Sequence, residues 1–285
     1  MRHQTLVALL SGSVIWLSAC EDSSRASVSR AIDSVTSVDQ QNMAELMLTA
    51  GDPEEAVAYF SAQMENEPDS LLNQRGLGRS LMRAGRANEA VPLWRGVTAH
   101  PEGTNSDKVA LADAQLRATD WAGAERTLNS IPPTYETFDR YRLEALVADS
   151  KQNWRSADHF YEIAAGLTTR PSSVYNNWGY SHLTRENFRE AERLFTKALQ
   201  HDPSLFTAKN NLALARAGQG NYTLPLVQMT QQERAVMLYT MAIAAIRKND
   251  VNVGRVLLEE AIDTHPQHYE EAVRAMRALD GAGTG

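Results

Sequence analysis

The residues able to do chemistry in this chain are few and scattered. Seven histidines are present, and His265-Pro266-Gln267-His268 sets two of them three residues apart, a spacing that invites a metal reading. No other cysteine or clustered carboxylate completes such a site, since the single cysteine, Cys20, lies near the N-terminus and leaves no intramolecular disulfide possible. His100, His201 and His265 instead stand beside Pro101, Asp202-Pro203 and Pro266, places where a helix ends and an imidazole is expected to complement its last carbonyls. There is no glycine-rich phosphate loop, no Gly-x-Ser-x-Gly elbow and no His-Glu-x-x-His. Paired acids such as Glu54-Glu55 and Glu259-Glu260 read as solvated helix faces. The chain is therefore expected to be no enzyme and to hold no metal or cofactor. A net charge of −7 without a basic cluster argues against nucleic acid as its partner.

What positions side chains here is a repeat. Ala56, Ala90, Ala124, Ala157 and Ala191 recur at spacings of 34, 34, 33 and 34 residues. Other residues keep step with that ladder. In the unit 172–205, Tyr175, Trp178, Gly179, Ala191, Phe195, Ala198 and Pro203 fall at positions 4, 7, 8, 20, 24, 27 and 32. Small residues at 8 and 20 let two antiparallel helices, A and B, approach; the small residue at 27 admits the next helix A, and an aromatic at 24 fills the space between. The proline then ends helix B.

Counted in this register, position 8 reads Ala44, Gly78, Ala112, Ala145, Gly179 and Ala213, and position 24 reads Phe60, Trp94, Leu128, Tyr161 and Phe195. Trp121, Trp154, Phe188 and Tyr222 share position 17, at the start of helix B. All these aromatics are expected to be core and hairpin residues rather than a cofactor box. The pattern resembles the tetratricopeptide (TPR) consensus. What the resemblance implies is an all-α fold: a right-handed superhelical solenoid of antiparallel helix pairs, closed by a C-terminal capping helix. Units are expected at 37–70, 71–104, 105–137, 138–171 and 172–205, with an incomplete one at 206–229, a seventh at 235–268 and a cap at 269–280.

The sixth unit breaks the pattern. Register survives through Gly220, Asn221 and Tyr222 and then meets Pro225 where the small residue of helix B belongs, so no normal helix B is expected there. Residues 224–229 read as an apolar, extended connector, closed by Thr230 and Glu233 in the spacing of a helix capping box. The connector is expected to cover the exposed side of the incomplete unit or to meet a partner.

Before the repeats, Arg2 and His3 precede an apolar run at 6–17, followed by Leu17-Ser18-Ala19-Cys20. The run is short for a membrane span and reads as a secretory signal sequence over 1–19. Its last four residues resemble the bacterial lipobox, which implies lipidation of Cys20. Buried acyl methylenes contribute about 0.8 kcal/mol each, so several chains on one residue attach it firmly. Residues 20–36, rich in serine, suit a tether. Glu21, rather than an aspartate, follows the cysteine, and the sorting rule that the resemblance brings favours the periplasmic face of the outer membrane over the inner membrane.

The TPR resemblance also implies a concave groove lined by helix A positions 2, 5, 9 and 12. Those positions hold Arg75, Arg79, Asp113, Arg142, Asn176, Tyr180 and Asn210, of which Arg75, Arg79, Arg142, Asn176, Tyr180 and Asn210 are the peptide-groove candidates. Asparagine there can pair with both polar groups of an extended peptide's backbone. Asn177 and Asn211, at position 6, fit a structural role or a ligand-binding one.

The whole layout, with lipobox, tether, five regular repeats, the run Asn-Asn-Leu-Ala-Leu-Ala at 210–215 and an irregular C-terminal hairpin, resembles the TadD-type lipoprotein of the tight-adherence (Tad) pilus. That resemblance implies a pilotin-like scaffold which escorts the pilus secretin to the outer membrane. A lipoprotein of outer-membrane barrel assembly, or an adaptor of a peptidoglycan hydrolase, shares the same general layout.

Overall fold

The computed structural model describes residues 41–282, so the signal sequence, Cys20 and the tether lie outside the described residues. Among the described residues there are fourteen helices and no strand. None of these helices is long and apolar enough to cross a membrane.

Two compact units divide the chain, one ending at Gly103 and one beginning at Thr104. The first holds α1 (residues 41–49), α2 (Pro53–Asn66), α3 (Leu71–Arg83) and α4 (Ala87–Ala99). The second holds α5 (Asn105–Arg117), α6 (Trp121–Asn129), α7 (Phe138–Ser150), α8 (Trp154–Gly166), α9 (Ser172–Thr184), α10 (Phe188–His201) and α11 (Phe206–Gly218). It continues through α12 (Gln231–Arg247), α13 (Val251–Thr264) and α14 (Glu270–Ala282). Helices begin at Leu71, Asn105, Phe138, Ser172 and Phe206, the starts that the repeat register predicts. Within each unit the packing is between helices adjacent or next but one in the chain, so the core is a series of small clusters rather than one centre.

The alanine ladder is the spine of those clusters. Ala56, Ala90, Ala124, Ala157 and Ala191 expose no surface, and Phe60, Trp94, Leu128, Tyr161 and Phe195 are buried against them. The need for a small residue at position 8 is measurable. A Cβ on Gly78 would lie 2.6 Å from the ring of Trp94, and one on Gly179 would lie 2.7 Å from the ring of Phe195.

A second regularity lies in the turn from helix A to helix B. Gly85, Thr119, Gln152, Glu186, Gly220 and Asn249 all have positive φ, and all six stand at position 15 of their units. The left-handed residue reverses the chain between two helices that must pack immediately. Two of the six are glycine and one is asparagine, which tolerates this region, so Thr119, Gln152 and Glu186 carry the backbone strain.

Position 17 requires a correction. Trp121 is 42% exposed, although the register places it with the core and hairpin aromatics. The ring at this position is covered by the A-to-B turn of the following unit: the guanidinium of Arg185 lies 5.2 Å from the ring centre of Trp154, and Gly218 lies against Phe188. For Trp121 the corresponding side chain is Lys151, whose ammonium pairs with Glu125 at 2.6 Å.

Helix B of the sixth unit is absent, as Pro225 predicts, and residues 221–230 have no regular structure. The connector docks on its own chain. Pro225 is buried, and Leu224, Val227 and Met229 pack against a cluster containing Leu238, Leu257 and Leu258. Leu226 alone points fully to solvent. Thr230 and Glu233 form the expected capping box, which starts α12 at Gln231, four residues ahead of the counted unit start.

Candidate functional site

The helix A face can be followed in each compact unit separately. In the first, Arg75 is half-buried and donates from Nη2 to the carbonyl of Glu102 at 3.1 Å. Arg79 is exposed one turn further along α3, without a partner among the described residues.

In the second unit, consecutive A helices are tied together through these positions. Arg142 on α7 pairs with Asp113 on α5 at 3.2 Å, and Asp113 also holds Arg117. Asn211 on α11 donates to Oδ1 of Asn176 on α9 at 3.1 Å. Thr240 on α12 donates to Oδ1 of Asn210 at 2.8 Å. A position 6 donor thus meets a position 5 acceptor on the preceding A helix, and the pattern repeats over α9, α11 and α12. Asn176 and Asn210 spend their carbonyl oxygens on this ladder and keep their amide N–H groups. Tyr180 projects from the same face with 53% of its surface exposed.

Beside Tyr180's helix the face sinks into a hollow of about 910 Å³. Leu183 and Phe188 line it from the α9–α10 hairpin, Leu214 from α11, and Tyr239, Ile243 and Ala244 from α12. Thr184, Thr240, Glu186, Arg247 and Lys248 supply its polar edge. The Lys248 ammonium donates to the carbonyl of Gly218 at 2.7 Å. Arg247 is exposed and has no partner among the described residues. In sequence Leu214 and Ile243, both at position 9, look like ordinary core leucine and isoleucine, so the hollow does not announce itself. Their position number was the available signal.

A polar network that the sequence pattern does not announce joins the fourth and fifth repeats. Asp149 on α7 accepts from Ser181 Oγ at 2.6 Å and from the Tyr161 hydroxyl at 2.8 Å. Asp158 on α8 accepts from Trp178 Nε1 at 2.7 Å and from both terminal nitrogens of Arg185, while His182 Nε2 stands 3.3 Å away. Burial raises the Asp149 carboxyl above the usual carboxylate range despite its two hydroxyl donors. Burial also pushes Asp158 upward, but the hydrogen bonds from Arg185 and Trp178 outweigh it and hold this carboxyl low. His182 is held below its ordinary value by burial first and by the Arg185 cation second. The hydroxyl and carboxyl groups here point at one another. The network locks helices together.

The histidines do not converge. His268 Nε2 lies 2.9 Å from Glu270, whereas His265 Nδ1 faces the backbone of Gln267. His100 Nδ1 accepts from the backbone N–H of Glu102, so His100 and His265 close the turn after helix B instead of complementing its carbonyls. That corrects the expected capping role. His201 stacks on Tyr175, with ring centres 5.7 Å apart. Among the described residues no group of three or more possible ligands is placed to hold a metal ion.

With this geometry in view, the tetratricopeptide repeat model matches residues 176–224. No protein of curated function matches the chain in sequence. Among solved structures, a tetratricopeptide repeat protein from Parabacteroides merdae is similar with 15% identity and a TM-score of 0.54, over 84% of this chain and 96% of that one. The C-terminal part of a TPR repeat-containing protein from Cytophaga hutchinsonii gives 13% identity and a TM-score of 0.52, over 82% and 98%. The APC/C hetero-tetramer Cut9-Hcn1 gives 11% identity and a TM-score of 0.58 over 83% of this chain, which spans only 48% of the matched one. At such identities the likeness is one of fold, and the fold is the all-α tetratricopeptide repeat type.

Proposed function

We propose that this chain is a non-catalytic scaffold that binds a polypeptide segment on its helix A face and is anchored by lipid at the periplasmic face of the outer membrane. The observation that carries the binding reading is the accessible face of α9, α11 and α12, where Tyr180 and an open hollow of about 910 Å³ lie beside a regular row of amides. Clefts of this volume with an apolar lining and a few placed polar groups suit ligands of short-peptide size. The anchor is supported by Leu17-Ser18-Ala19-Cys20 alone. In the finer form of the proposal the segment belongs to a Tad-type pilus secretin, supported by the resemblance of the layout to the TadD-type lipoprotein. The action is physical: the lipid moves the scaffold, and the groove holds a terminal segment until oligomerisation buries it.

The test is affinity capture from solubilised membranes with the wild-type chain, Cys20→Ser and Arg75→Glu/Arg79→Glu. The wild type is expected to recover a secretin. Cys20→Ser should leave the folded domain intact and release it from the membrane, and lipidated product from that variant would remove the anchor from the account. Recovery of a barrel-assembly protein or a peptidoglycan hydrolase in place of the secretin would overturn the pilus assignment. Unchanged recovery by the arginine variant would take the α3 face of the first compact unit out of the account.

A further inference from the structure

We infer that the hollow between α9, α11 and α12 takes a bulky apolar side chain from a peptide segment that carries an acidic residue beside it. This rests on the scaffold reading above and specifies the ligand of that same face. The hollow's floor is apolar, formed by Leu183, Leu214, Tyr239 and Ile243. Apolar surface of this kind gains from covering by about 25 cal/mol per Å², without regard to direction, so the floor selects for bulk and not for sequence.

Direction comes from the rim. α11 packs against both α9 and α12 and so lies between the two rims. On the α12 side stand Arg247, exposed and without a partner among the described residues, and Lys248, whose ammonium already holds the carbonyl of Gly218. On the α9 side stands Glu186, in the left-handed turn residue that leads into α10. These three are the charged groups that line the hollow. The net sign is positive, and the two cations are together. A segment whose apolar residue enters the floor therefore meets Arg247 if an aspartate, glutamate or terminal carboxylate lies to the α12 side. A basic residue there meets two like charges. Arginine offers a fork suited to bidentate carboxylate recognition, and an exposed unpaired one loses no protein contact on binding.

The experiment uses the full chain purified in detergent and three fluorescent octapeptides: Gly-Ser-Asp-Phe-Leu-Asp-Ser-Gly, the same peptide with lysine for both aspartates, and the same with serine for Phe-Leu. Binding is followed by anisotropy at low and high salt. The acidic apolar peptide is expected to bind at least about tenfold more tightly than either other peptide, with the margin over the lysine peptide shrinking as salt screens the charges. Arg247→Glu, at an exposed residue with no partner among the described residues, should abolish or reverse the preference for acid over base, with circular dichroism checking that it remains helical. Leu214→Lys should abolish binding of all three, with circular dichroism checking that it remains helical. Equal binding of the three peptides, a preference unchanged in Arg247→Glu, or a dimer that Leu214→Lys dissolves would overturn the inference. If none of the peptides binds while secretin capture persists, the ligand class assigned here is wrong and the scaffold reading stands. Loss of capture with peptide binding intact gives the reverse outcome.

Discussion

The carboxylate of Asp158, on α8, is gripped by both terminal nitrogens of Arg185, in the turn after α9, at 3.1 and 2.5 Å. The contact crosses from the fourth repeat to the fifth, and the same carboxylate takes the indole N–H of Trp178. Together with Ser181 Oγ on Asp149, these contacts set how the fifth hairpin seats on the fourth. Replacing Asp158 with Ala orphans a guanidinium that is only 16% exposed, together with the indole. Fully buried pairs lose about 3–5 kcal/mol in this way. Because the Asp158 side chain keeps 34% of its surface in solvent, the expected loss is about 2 kcal/mol, read from urea unfolding. Asp158→Asn, which keeps one acceptor, should lose less.

The same network predicts a dependence on pH. His182 is held below its ordinary value of 6.5, so the unfolded chain takes up a proton there before the folded chain does. Its stabilising contribution is complete above about pH 6.5 and is lost as pH falls through the folded value. Asp158, held below 3.8, adds a second loss at still lower pH. Asp149, raised by burial, acts in the opposite sense: what it contributes below 3.8 disappears as pH rises toward its folded value. His182→Gln is expected to flatten the fall in urea midpoint that begins as pH drops below about 6.5 and to leave the later, more acidic decline carried by Asp158 in place.

Thr119 has φ of 63°, a left-handed conformation imposed on a β-branched residue by the A-to-B turn. Such a residue costs about 1–2 kcal/mol relative to glycine, and part of the relief is offset by the greater entropy of glycine in the unfolded chain. Thr119→Gly should therefore stabilise the protein by about 0.5–1 kcal/mol, seen as a small rise in Tm. Gly220→Thr, at the same position of the sixth unit, should lower it.

At position 8 the sign reverses. A Cβ on Gly179 would lie 2.7 Å from Phe195, whose ring has no surface to give. Gly179→Val should cost about 1–3 kcal/mol through overpacking, and Phe195→Leu in the same chain should recover part of it.

How much was legible in the sequence follows from what sets each feature. Ala157 and Tyr161 announce themselves because two helices can approach only where the register supplies a small residue and an aromatic, and that demand recurs every repeat. The capping box of Thr230 and Glu233, and the break at Pro225, were equally local. Asp149 and Asp158 were not visible, because a charged residue within a helix reads as solvent-facing until the Ser181, Trp178 and Arg185 of the next unit are brought against it. Trp121 stayed exposed for the converse reason, since Lys151 turned to Glu125. Asn176 and Asn210 were found as positions on the face, while their pairing with Asn211 and Thr240 needed neighbouring helices in place.

The most direct test of the binding account is photo-crosslinking from the living membrane. A photoreactive phenylalanine analogue is placed at Tyr180, on the helix A face, and separately at Val256, an exposed residue of helix B in α13. The account predicts a crosslink to the secretin from Tyr180 and none from Val256. A crosslink from Val256 with Tyr180 silent would contradict it.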